Sequence, residues 1–84
     1  MYIINRYTAD GTRIDHAEFN LLPEECLLDK LEEVLYILYE EEPISRYWQW
    51  ELAQEGVTCL SYHNLEFSTI KYNKAYKTFT IIED

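Results

Sequence analysis

The stretch PEECLLDKLEEVLYILYEEEP, residues 23–43, decides the fold. Between Pro23 and Pro43 it contains no glycine or proline, and Glu24 and Glu25 suit the positive end of a helix dipole. At about 100° per residue, Leu27, Leu31, Val34, Leu35 and Leu38 fall on one face, and Glu25, Asp29, Glu32, Glu33, Tyr36 and Glu40 on the other. The spacing therefore predicts one long amphipathic helix over about 23–42, with a leucine face that needs a partner layer.

The flanks supply that layer. Residues 2–8 are rich in β-branched and aromatic types, and the Asp10-Gly11 turn signal predicts a return strand over 12–19. Val57–Tyr62 reads as a further strand, and Leu65–Tyr72 and Lys77–Ile82 alternate on either side of a turn at 73–76. Residues 44–56 carry two readings. Trp48, Trp50 and Leu52 alternate as in a strand, while Ser45 as a cap and Gly56 as a terminator suit a short helix. The expected architecture is α+β: an antiparallel sheet of about four to five strands, the long helix packed across it, and room for a second short helix. The 84 residues make one domain, 1–84, with one modest core.

Hydrophobic residues form 48% of the chain, too many for disorder, and no apolar run is long enough for a membrane span. Met1–Arg6 lacks the pattern of a secretory signal, so a cytoplasmic location is expected. Cys26 and Cys59 sit in different elements and read as buried free thiols. Cys59 and His63 supply half a zinc site, which only a convergence of His16 and Cys26 would complete; no metal and no cofactor are expected. Two glycines cannot build a phosphate loop, and Ser45, Ser61 and Ser68 lie in no nucleophile motif, so no catalytic residue is expected.

Charge is the outlying property. Sixteen acids against seven bases leave a net charge of −9, which repels nucleic acid and anionic membranes. Residues 15–55 hold twelve acids and two bases; residues 60–80 hold Glu66 against Lys71, Lys74 and Lys77. Lys30 alone offsets eight acids between residues 24 and 42, although like charges at i,i+4 cost a helix ~0.2–0.5 kcal/mol per pair. Solubility explains some clustering of glutamates on a wet face; repulsion this concentrated points to a use. Carboxylates at i and i+4 lie about 6 Å apart along a helix, near the spacing of phosphates along a strand. Over the ~22 Å from Glu25 to Glu40, duplex DNA presents about thirteen charges and the stripe five. Glu24, Glu41, Glu42, Glu51, Glu55, Asp15 and Glu18 add to it, and a homodimer would lengthen it.

Size, acidity, the carboxylate stripe and an aromatic sheet together resemble the small phage-encoded DNA mimics, among them the Arn-type anti-restriction proteins. The resemblance lies in charge layout and size, without a shared motif. It implies a non-enzymatic inhibitor in the host cytoplasm that occupies the DNA-binding surface of a defence nuclease or other nucleic-acid-binding protein, without binding nucleic acid itself. An antitoxin or immunity protein is the alternative, gripping one basic enzyme through aromatic anchors such as Tyr47, Trp48 and Trp50. A regulatory module that pairs through an exposed sheet edge is the third reading.

Overall fold

The computed structural model describes residues 1–45, 47–63 and 67–84. Its elements are β1 (Tyr2–Tyr7), β2 (Arg13–Phe19), α1 (Leu27–Tyr39), α2 (Trp48–Glu55), β3 (Val57–Ser61), β4 (Phe67–Asn73) and β5 (Thr78–Glu83). The α+β expectation holds, with five strands and two helices. The expected strand start at Leu65 and the charge at Glu66 lie outside the described residues.

The sheet order is β2-β1-β5-β4-β3. The pairs β1–β2, β3–β4 and β4–β5 are antiparallel, but β1 and β5 run parallel, pairing Ile4 with Phe79 and Arg6 with Ile81. The sheet is therefore mixed, not antiparallel throughout. Burial accounts for this arrangement. Strand β2 carries Arg13, Asp15, His16 and Glu18 and suits an edge, whereas Ile4, Phe79 and Ile81 are fully buried and need cover on both sides. The C-terminal hairpin therefore docks against β1.

One face of the sheet takes both helices. Ile4, Phe19, Leu60, Ile70, Phe79 and Ile81 meet Leu31 and Leu35 of α1 and Trp48 and Leu52 of α2 in a single core. Leu27, Val34 and Leu38 pack against it, as their spacing predicts. Helix α1 is shorter than expected, 13 residues rather than about twenty. At its start, Leu22–Glu25 forms a turn: the Glu25 N–H donates to the Leu22 carbonyl, and the Glu25 carboxylate accepts from the Leu22 N–H, both at 3.0 Å. Pro23 thus sits in a turn, and the extended Cys26 becomes the N-cap. At its end Glu40 takes a left-handed conformation (φ 59°), where three successive glutamates meet the negative end of the helix dipole.

Of the two readings for 44–56, the helix holds over Trp48–Glu55, and Arg46 lies outside the described residues. The N-cap of α2 is Tyr47, without a side-chain cap bond, and not Ser45 as expected; the Ser45 hydroxyl accepts a 3.3 Å bond from the Tyr47 N–H ahead of the helix, and Gly56 (φ 75°) closes α2 as expected. The alternation of Trp48, Trp50 and Leu52 follows from half-burial of a short helix, with Trp48 and Leu52 inward and Trp50 outward. Both cysteines are free and exposed, against the expectation of burial: Cys26 lies outside the first turn of α1, and Cys59 points from β3 away from the helices. No helix among the described residues is long and apolar enough to cross a membrane.

Candidate functional site

The acidic surface is built by α1 and the chain that returns from it. Asp29, Glu33, Tyr36 and Ile37 point outward from α1; Ile37 is 74% exposed and Tyr36 54%. After Glu40 the chain doubles back, and the Ile44 N–H anchors the loop by donating to the Ser61 carbonyl at the β3 edge (2.8 Å). This return brings Glu42 over the helix. Asp29, Glu32, Glu33, Tyr36, Ile37 and Glu42 line an open groove of about 560 Å³. A second groove of about 450 Å³ shares Asp29, Glu32 and Glu42 with the first and continues to Ile44, Trp48 and Gln49.

Glu32 is at the junction. Gln49 of α2 donates to its carboxylate (3.1 Å) and to the Leu28 carbonyl (3.4 Å), which ties the two helices together. Partial desolvation, then the charges of Glu42 and Asp29, push the Glu32 carboxyl above its ordinary range, and the Gln49 bond opposes them. The nearest cation on the helix, Lys30, is committed to Glu25 (3.5 Å) and Glu33 (3.4 Å), and these carboxylates, Glu25 first, raise its ammonium. The groove therefore holds crowded negative charge beside two exposed apolar side chains.

The remaining sequence candidates are dispersed. Asp15 faces the helix side of the sheet and is held by Arg6 at 2.9 Å, so it adds nothing to the acidic surface. Glu18 sits on the opposite sheet face beside His16 (3.3 Å). Glu55 lines another groove with Lys71 and Lys74, while Glu51 is exposed on α2. Glu25 is half-buried and occupied by the Leu22 turn and Lys30; Glu41 is half-buried; Glu24 and Glu40 are exposed. Of the aromatic candidates, Tyr47 and Trp50 are exposed (72% and 62%), but Trp48 is a core residue at 3% and is removed from any interface.

Ile37 was not among the sequence candidates. Its place four residues after Glu33 put it on the polar face, and an isoleucine there was the available signal. Ile44 gave no such signal, because its exposure depends on the path of the return loop. Among the described residues, no group of three or more His, Cys, Asp or Glu side chains is placed to hold a metal ion. No known protein family matches the chain, and neither a curated protein nor a solved structure is similar enough to lend it a role.

Proposed function

We propose that the protein is a non-enzymatic inhibitor whose acidic groove engages the basic, nucleic-acid-binding surface of a partner such as a defence nuclease. The observation that carries this reading is the convergence of Asp29, Glu32, Glu33 and Glu42, from helix and return loop, on one groove. Holding these charges together raises the free energy of the isolated protein, and a cationic partner relieves it.

The extent of mimicry follows from charge density. Thirteen helical residues span about 20 Å, over which one nucleic-acid strand presents about six phosphates and a duplex about twice that. The four carboxylates of the groove, Asp29, Glu32, Glu33 and Glu42, come nearer to one strand than to two. The groove stands in for a single backbone, and its partner is a surface that grips one strand's phosphates.

Tyr36 and Ile37 favour a second reading. Phosphates have no apolar counterpart, so two exposed apolar side chains inside the groove suit an immunity-type grip on one enzyme, with Tyr36 and Ile37 as the anchors.

One experiment separates the two. Partners captured from a lysate are challenged with duplex and single-stranded DNA, using wild type, Asp29→Asn/Glu33→Gln/Glu42→Gln, and Tyr36→Ala/Ile37→Ala as bait. Mimicry predicts displacement by DNA, strong salt dependence and a cumulative loss with each neutralised carboxylate. An anchor-based grip predicts resistance to DNA and near-complete loss in the Tyr36/Ile37 variant. Capture unaffected by either variant excludes the groove.

A further inference from the structure

The second face of the sheet, opposite the helices, has no cover among the described residues. The pairing register places Ile3, Asn5 and Tyr7 of β1, Thr78, Thr80 and Ile82 of β5, Phe67, Thr69 and Lys71 of β4, and Val57 and Cys59 of β3 on it. Cys59, Thr69, Ile82 and Tyr7 lie in one row across four strands, with Phe67 and Val57 in the rows on either side. An uncovered face normally alternates to polar residues. Here Phe67 is 54% exposed, Val57 and Ile82 37% each, and Cys59 is exposed among them.

We infer that a second copy of this chain covers this face, sheet against sheet about a two-fold axis. Charge selects the occupant. Any contact through α1 or its return loop opposes two acidic surfaces, whereas the ladder residues of this face carry Lys71, Glu18 and Arg13, the last paired with Tyr7, for a net charge of +1 in a chain of net −9. The face is thus where two copies approach with least repulsion. Size also suffices. Five strands at about 4.8 Å and six residues at about 3.3 Å give a footprint of roughly 480 Å² per copy, or about 960 Å² for two, close to the ~1,000 Å² that specific interfaces bury. Corrugated side chains bury more than their footprint. The row Cys59-Thr69-Ile82-Tyr7 supplies an apolar centre, and small threonines on either side let two sheets approach to about 10 Å. The two acidic grooves then face outward on opposite sides of the dimer, so the inference stands or falls independently of what the grooves bind.

Sedimentation equilibrium of wild type and Phe67→Lys tests it, together with the rate of Cys59 alkylation in a Cys26→Ser background. The expected results are a species of twice the 10.1 kDa chain mass, at least tenfold weaker association in Phe67→Lys with unchanged circular dichroism, and at least tenfold slower Cys59 labelling as concentration rises through the dimerisation range. If Phe67→Lys fails to fold, the labelling rate, which needs no substitution on the face, decides alone. A monomer at every concentration overturns the inference. So does a dimer in which Cys59 reacts at the monomer rate, which would put the contact at the β2 edge or the helices.

Discussion

The phenol of Tyr39, at the end of α1, donates a 3.0 Å hydrogen bond to Glu83 at the end of β5. The same ring lies under the Arg6 guanidinium, 4.5 Å from its centroid, and stacks on Tyr62 at 4.5 Å. Arg6 also pairs with Asp15 (2.9 Å) and Glu83 (3.6 Å), so one cation, two carboxylates and a phenol lock the helix end to β1, β2 and β5.

Burial, the largest effect, pushes the Tyr39 phenol well above its usual 10.0; Arg6 opposes, and the charge of Glu83 adds to the rise. The folded state therefore holds this proton more tightly than the unfolded chain does. Its contribution is complete below about pH 10 and is lost progressively above it. Alkaline titration followed by circular dichroism should show stability falling above about pH 10, with a shallower fall in Tyr39→Phe. The same slope in both proteins would show that Tyr39 is not the titrating group.

Cys26 caps α1 in an extended conformation (φ −85°, ψ 129°) without a side-chain bond to the helix. A serine fits this backbone and accepts from the N2 or N3 amide. Cys26→Ser should raise stability by about 1 kcal/mol in urea denaturation. A loss of stability would mean that the thiol makes contacts a hydroxyl cannot.

Glu32 illustrates a conflict between stability and binding. Its carboxyl is shifted upward, so ionised Glu32 weighs against the fold, and the fold loses stability as pH rises through the range where Glu32 ionises. Glu32→Gln keeps an acceptor for Gln49 and removes the repulsion from Glu42 and Asp29. At neutral pH it should melt higher than wild type while binding its partner more weakly. A lower melting temperature would show that the negative charge itself supports the helix contact.

The two tryptophans should part in mutational cost. Trp48→Ala empties a fully packed site between α1, α2 and the sheet and should cost about 3–5 kcal/mol; Trp50→Ala should stay within about 0.5 kcal/mol. Similar losses at both positions would mean that Trp50 is also buried in solution, as it would be by self-association through α2.

The hydrophobic period of α1 was legible because residues 27–38 obey one repeat, and Leu31 and Leu35 are buried where it puts them. Helix length was not: Pro23 and Pro43 bound the stretch, but the Leu22–Glu25 turn and the left-handed Glu40 set its ends. Each hairpin is local and readable from its turn. How the hairpins dock is not, since the pairing of Ile4 with Phe79 rewards burial of residues far apart in sequence. The site divided in the same way. Asp29, Glu32 and Glu33 share a helix face that spacing reveals, whereas the addition of Glu42 depends on the Ile44–Ser61 bond, and the loss of Asp15 on Arg6 facing inward.

The parallel pairing of β1 with β5 also governs how the molecule is assembled. Strand β5 lies between β1 and β4, so without it the N-terminal hairpin and the β3–β4 hairpin have no backbone contact with each other. Local hairpins and nascent helices form in microseconds, but joining them closes a loop of some seventy residues before the central ladder returns any energy. During synthesis the sheet therefore stays in two halves until β5 has left the ribosome, and a product truncated before β5 is a substrate for proteolysis rather than a partly working protein.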